Sequence, residues 1–343
     1  DSVVVTPDRE YVKVHFHTSD RAAARIRMES LGRLVDWSEE ALRDDAGLEP
    51  LQPAAGSIHL MSDAAGSLTR SDVRRLGMTL LDSYLLVGEK SLPETHFSPK
   101  EVYSAMRKGV RVSTSQASIF ERGQHYQRIL TRHDRVLYLC VGSAYTGNYE
   151  TAVTWKTNND PENRFTVIDT GAASGRLAAV VFATARFSEK TKDPEAVIRF
   201  ARSILRRCEE YLFLDRLHYL AAGGRLSKTG AFFGDMLHRK PVITPTPYGA
   251  KKIGMVRDRK AQLEFALDKL EQALRDGPPG LILLEYSDNR VWVETEVRET
   301  IGRRCPASEI RLIPLSLTSG AHMGPGTWGM AFCRERNLAA GPF

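Results

Sequence analysis

Val136-Leu137-Tyr138-Leu139-Cys140-Val141, followed by Gly142-Ser143-Ala144-Tyr145-Thr146-Gly147, is the stretch that decides the fold. An unbroken apolar run of strand length, ended by a glycine, reads as a strand buried on both faces. The small, hydroxyl-rich loop after it leads into a helix from about Asn148 to Trp155. A buried strand, a loop and a helix in that order are the repeating unit of an α/β fold with a parallel, doubly wound sheet.

The same unit repeats on both sides. Upstream, Ile58-His59-Leu60-Met61 is a strand, Ser62 to Ser67 a turn, and Thr69 to Leu76 a helix. Thr79 to Val87 is apolar enough for one more strand, and Val110 to Thr114 leads into a helix from Ile119 to Arg132. Ser98 with Glu101, and Ser118 with Glu121, have the spacing of capping boxes. Downstream, Phe165 to Asp169 is a strand and Ala172 to Phe187 a helix, and another helix starts at Asp193-Pro194.

Beyond Glu209 the pattern changes. A strand over Tyr211 to Leu214 and helices over Arg216–Ala221 and Thr229–Leu237 precede a hairpin of Pro241–Pro245 with Lys252–Val256. A long helix (Lys260–Arg275), strand (Gly280–Tyr286), helix (Arg290–Arg303) and strand (Ile310–Leu315) follow, then a last strand over Trp328 to Cys333. A hairpin plus a βαβ unit suggests a second α/β lobe with a mixed sheet. Residues 1–50 read as strand, strand, helix, strand. The stretch 45–57, with Gly47, Pro50, Pro53 and Gly56, reads as a linker.

Two loops rich in hydroxyls, Ser113-Thr114-Ser115 and Ser143 to Thr146, stand just before helices. Helix N-termini offer unpaired N–H groups and positive potential, and hydroxyls add directed donors, so the pair reads as an anion site beside one sheet. Carboxylate and phosphate are both open. Gly223-Gly224-Arg225 lets backbone approach a ligand and supplies a guanidinium. His322 sits in the glycine-rich segment Gly320 to Gly326 and can donate a hydrogen bond. Gly324 to Gly329 matches GxGxxG, but a strand follows it where a dinucleotide site needs a helix. His15 and His17 share one strand face as an incomplete zinc half-site.

Composition excludes several classes. No stretch approaches the ~20 apolar residues of a membrane span. The net charge of +6 is modest for 343 residues, and its basic clusters lack interleaved aromatics, which argues against single-stranded nucleic acid. The four cysteines are scattered, as for free thiols in a reducing cytoplasm. The sequence has no phosphate loop, nucleophile elbow or HExxH motif. The start, Asp1-Ser2-Val3, opens directly on a strand and suggests a piece of a longer polypeptide.

From Ser57 to Cys333 the order of motifs resembles the DegV family. The marks are Ser62-Asp63, Thr114-Ser115-Gln116, Tyr145-Thr146-Gly147-Asn148-Tyr149, Gly223 to Lys228, Lys240-Pro241, Val256 to Lys260, and His322-Met323-Gly324-Pro325-Gly326. The resemblance implies a two-lobed α/β fold, with lobe 1 over residues 57–209, lobe 2 over 210–343 and one long-chain fatty acid between them. It implies that Thr114, Ser115, Thr146, Arg225 and His322 hold the carboxylate. Thr146 stands where the family has Ser, and Ala117 where it has Pro. It also implies that Arg257 docks an ATP-using kinase subunit, and that this chain is a carrier with no catalytic residues or cofactor of its own. Membrane contact is at most transient on this reading, and the location cytoplasmic.

Residues 1–50 instead resemble the end of the middle domain of a fatty acid kinase subunit related to dihydroxyacetone kinases, where two histidines and an upstream Cys hold zinc. That Cys is absent here. A fusion with an upstream kinase-like module follows as an expectation, with zinc in the full-length protein and acyl phosphate as the product. A phosphotransferase, or a phosphate- or nucleotide-binding regulator, is the alternative.

Overall fold

The computed structural model describes residues 3–7, 12–16, 18, 20–34, 37, 58–222, 239–275, 277 and 279–334. At the N-terminal end β1 (Val3–Pro7) pairs antiparallel with β2 (Val12–Phe16), and Asp20 caps α1 (Arg21–Leu31) by accepting from the Ala23 N–H. The further strand expected by residue 50, the linker over 45–57 and the helix expected over 229–237 lie outside the described residues.

From β3 (His59–Asp63) the chain runs through α2 (Arg70–Leu76) to β4 (Thr79–Leu81). A capping box at Thr69 and Asp72 starts α2. The expected single strand over 79–87 is two strands, β4 and β5 (Tyr84–Val87). Polar bonds pin the break between them. Asp82 accepts from the Thr95 N–H and hydroxyl, its carbonyl accepts from Arg122, and Ser83 O accepts from the Glu94 N–H. β5 then forms an antiparallel sheet with β6 (Lys90–Pro93) and, after α3 (Pro99–Arg107), with β7 (Val112–Ser115). Ser98 makes no side-chain cap on α3, contrary to its spacing, and Pro99 at the first position starts that helix instead. Ser118 does cap α4 (Ile119–Leu130), accepting from the Glu121 N–H.

The quoted run is β8 (Val136–Cys140), followed by α5 (Asn148–Asn159), β9 (Phe165–Asp169), α6 (Ser174–Ser188) and α7 (Pro194–Ile204). Strands β4-β3-β8-β9 form a parallel sheet in that order. Alternation explains its uniform apolarity. Leu137, Leu139 and Val141 pack toward α6, while Val136, Tyr138 and Cys140 join Tyr126 and Phe165 in the core on the sheet's other side. The connections leave β3 and β8 in opposite directions, so the crevice beyond their carboxyl ends is the switch point where α/β sheets take ligands.

The second sheet is mixed. β10 (Cys208–Phe213), α8 (His218–Ala222), the hairpin β11 (Lys240–Thr246) and β12 (Gly249–Val256), and α9 (Arg259–Leu274) come first. Then follow β13 (Leu281–Tyr286), α10 (Arg290–Trp292), a π-helical stretch (Val293–Arg298), α11 (Glu299–Arg304), β14 (Glu309–Pro314), α12 (Leu317–Met323) and β15 (Trp328–Cys333). The strand order is β12-β11-β10-β15-β13-β14, with β13 and β14 parallel.

α6 joins the two sheets. It is apolar on nearly every face, as a helix packed on all sides must be. One continuous core runs from Leu137 and Leu139 through Leu177, Val180 and Val181 to Leu281, Leu283 and Ala331. The architecture is thus an α/β fold with a parallel and a mixed sheet about shared helices. No helix among the described residues is long and apolar enough to cross a membrane.

Candidate functional site

The switch point is organised by one buried carboxylate. Asp63, at the end of β3, accepts from Tyr138 Oη (2.7 Å), Asn148 Nδ2 (3.0 Å), Arg122 Nη1 (3.4 Å) and the Val141 N–H (2.9 Å). Both Asp63 and Arg122 are buried. These bonds tie β3 to the end of β8 and the first residue of α5, and so fix the 142–147 loop from both sides. Within it Ser143 is consumed structurally, donating its hydroxyl to Asp169 (2.6 Å). Thr146 Oγ1 accepts from the Asn148 N–H (3.2 Å), which leaves its proton for another acceptor.

The expectation that both hydroxyl loops follow strands of one sheet is corrected. Thr114 and Ser115 end β7, in the antiparallel sheet, because the chain breaks at Asp82-Ser83. The two loops nonetheless converge. Thr114, Ser115 and Gln116 face the same cavity as Tyr145 and Thr146. His322 also faces it, with Nε2 3.1 Å from Thr114 Oγ1. It sits on α12, not in a glycine loop. Ser316 caps α12 by accepting from the Ser319 N–H, and only Gly324 and Gly326, with φ of 83° and 82°, form the turn beyond. If His322 Nε2 carries a proton it donates to Thr114, and the Thr114 hydroxyl is then free to point at an anion.

The cavity opens to solvent, and the space within it and its mouth is about 820 Å³. Its polar lining includes Ser83, Thr114, Ser115, Gln116, Thr146, Ser174, Thr318, Ser319 and His322. Its apolar lining includes Leu212, Leu220, Ile243, Ala250 and Met323, from a cluster between the β10–β11–β12 side of the mixed sheet, α8 and α12. No Lys, Arg, Asp or Glu is among the described lining residues. Hydroxyls, the Gln116 amide, an imidazole and the N-terminus of α5 are the groups here able to interact with negative charge.

Two further features shape the walls. Tyr145 Oη donates to Thr246 O (2.9 Å) and accepts from the Thr246 N–H (2.8 Å), so the Thr146 loop is bolted to the β11–β12 hairpin. Burial holds the phenol protonated, its pKa pushed above the usual tyrosine range. Ser174, also on the cavity wall, opens α6 with φ at 42°. Such a strained residue persists because its surroundings fix it. Buried Glu210 accepts from the next two N–H groups, Gly175 (2.9 Å) and Arg176 (3.1 Å). Glu210 and Glu285 lie against each other, both protonated more readily than ordinary carboxyls, through burial above all.

Of the site residues expected from sequence, Thr114, Ser115, Thr146 and His322 come together on one cavity. Arg225 lies outside the described residues, as does His17; His15 is in β2, but its side chain is not described. Arg257 is exposed at the end of β12, paired with Asp258 at 3.2 Å. Sequence reasoning missed Ser83, Tyr145, Ser174, Thr318 and Ser319. The signal for two of them was Ser316-Leu317-Thr318-Ser319, a capped start to the helix that carries His322.

Comparison with known proteins follows this geometry. A family model described as "Uncharacterised protein, DegV family" matches residues 57–335. The DegV domain-containing protein YteA of Lactococcus lactis is 25% identical over 278 residues, covering 79% of this chain and 96% of that protein. The structure of a DegV family protein from Thermus thermophilus, described for its fatty acid binding, has a TM-score of 0.73 at 25% identity. It covers 81% of this chain and 100% of the other. A stearic acid-binding protein from Eubacterium ventriosum shares the fold at 18% identity, with a TM-score of 0.72 over 82% of this chain and 99% of its own.

Proposed function

The chain belongs to the DegV family, and from that premise we propose that it binds one long-chain fatty acid, with the carboxylate among Thr114, Ser115, Thr146 and His322. The observation that carries this is a cavity lined by hydroxyls and an imidazole together with aliphatic side chains, with no Lys, Arg, Asp or Glu among its described lining residues. An alkyl chain against the aliphatic side chains contributes ~0.8 kcal/mol per buried CH₂. Its charged head must be hydrogen-bonded, because an unpaired buried charge is costly. The related proteins described as fatty acid binding support the same choice.

The finer reading is that this chain carries its ligand to an ATP-using partner domain, which makes the acyl phosphate. On this reading Arg225 adds its guanidinium to the head-group site, and exposed Arg257 meets the partner. That partner precedes this chain in a fused polypeptide, and any zinc at His15 and His17 belongs to the fused module. Organic extraction of the purified protein followed by mass spectrometry tests the binding. Recovery of long-chain fatty acid is expected; recovery of none, with no uptake of added fatty acid, refutes it.

A further inference from the structure

Directly behind the polar lining of the cavity lies a carboxyl group that the binding scheme does not use. Glu94, just after β6, is 3% exposed. Its N–H donates to Ser83 O (2.8 Å), and its Oε2 accepts from the Thr318 N–H (2.9 Å). Ser83 and Thr318 both line the cavity, and Thr318 lies one helical turn from His322 on α12. Glu94 Oε1 has no partner, nor has the buried Thr318 hydroxyl. No lysine or arginine bonds this carboxyl among the described residues.

We propose that Glu94 makes head-group binding conditional on a proton: only as the neutral acid does it let a ligand carboxylate settle in front of Thr318 and His322. The proposal rests on the fatty acid reading. It gives Glu94 a positioning role exerted through Thr318, without contact to the ligand. The physical reason is charge. A ligand carboxylate on the other side of Thr318 repels an ionised Glu94, which is buried and cannot export its charge to solvent. A neutral carboxyl keeps the bond from the Thr318 N–H and adds no charge.

The surroundings favour the neutral form. Burial, with Asp82 and Asp63 nearby, pushes the Glu94 carboxyl up to about 8. The cations in this region are committed elsewhere: Arg122 bonds Asp63 and Asp82 O, and Arg70 bonds Thr95 and His96. Tyr103 of α3, its phenol unpartnered, is kept protonated by burial above all, with Asp288, Glu285 and Glu94 adding to it. His322 is the remaining titratable group on α12.

Binding that requires a protonated group falls with the protonated fraction, which costs about a factor of ten at pH 9 for such a group. The test is titration calorimetry of the full chain with oleate, below its aggregation threshold, at pH 7, 8 and 9 in buffers of different ionisation enthalpy. The wild type should lose about tenfold in affinity from pH 7 to pH 9 and take up protons on binding at pH 8 and above. Glu94→Gln should match the wild type at pH 7 within about threefold and stay flat. A wild type with flat affinity and no proton uptake overturns the proposal, whether or not the variant folds. So does a Glu94→Gln profile that falls like the wild type's. An absence of binding heat at pH 7 in the wild type instead overturns the fatty acid reading, and this inference with it.

Discussion

Replacing Asp63 with alanine removes the acceptor of four hydrogen bonds at the switch point. The Arg122 guanidinium, 2% exposed, is left without its counter-ion, and the Tyr138 hydroxyl, the Val141 N–H and the Asn148 amide lose their acceptor. Breaking a buried ion pair from one side costs about 3–5 kcal/mol, a large share of the ~5–15 kcal/mol that holds a domain folded. Urea unfolding followed by tryptophan fluorescence should show the unfolding free energy fall by that amount, as a lower midpoint at an unchanged slope. Adding Arg122→Met should return part of the loss, because the orphaned charge goes with it, giving a coupling of roughly 1–3 kcal/mol in the double-mutant cycle. A loss under about 1 kcal/mol, or strictly additive effects, would refute the claim that this carboxylate organises the site.

Other predictions address the walls of the cavity. His322→Ala and Thr146→Ala should each weaken fatty acid binding by roughly tenfold to a hundredfold, the value of a hydrogen bond to a charged group, with unfolding midpoints nearly unchanged; unchanged affinity in both would place the head group elsewhere. Tyr145→Phe removes both bonds to Thr246 and should destabilise by about 1–3 kcal/mol while speeding ligand release in a stopped-flow displacement assay. Release no faster than in the wild type would show that the phenol does not close the cavity. Glu210 and Glu285 hold protons more tightly folded than unfolded, so the folded state binds more protons and stability should fall as pH rises from the ordinary glutamate value upward. Glu285→Gln should flatten that slope between pH 5 and 7 by up to ~1.4 kcal/mol per pH unit; urea midpoints with the wild-type slope would contradict the assignment.

Much of this was legible in the sequence for physical reasons that can be named. The run 136–141 could only be a strand covered on both faces, and from it the parallel sheet and its ligand-binding edge followed. The segments that hold Thr114, Thr146 and His322 read by themselves only as a generic anion site; the role of these residues at a carboxylate came from the family resemblance. The break at Asp82-Ser83 was hidden because no glycine or proline marks it; distant residues, Thr95 and Arg122, bend the chain there. α12 was obscured by Gly320, Gly324 and Gly326, which suggest a turn. Gly320 is inside the helix because the Tyr103 hydroxyl fills the place where its Cβ would be. Glu94, Glu210 and Glu285 gave no signal, because a glutamate in sequence reads as a solvated face and burial is decided by the tertiary packing of other segments.

The central claim is that the cavity selects an acid head group on a long alkyl chain. Its most direct test is a paired titration of the purified, lipid-stripped chain with stearate and with stearyl alcohol, read by native mass spectrometry. One equivalent of stearate should bind, with the alcohol at least about tenfold weaker, since only the acid satisfies the donors of Thr114, Thr146 and His322. Equal binding of the two, or no adduct with either, would contradict the account.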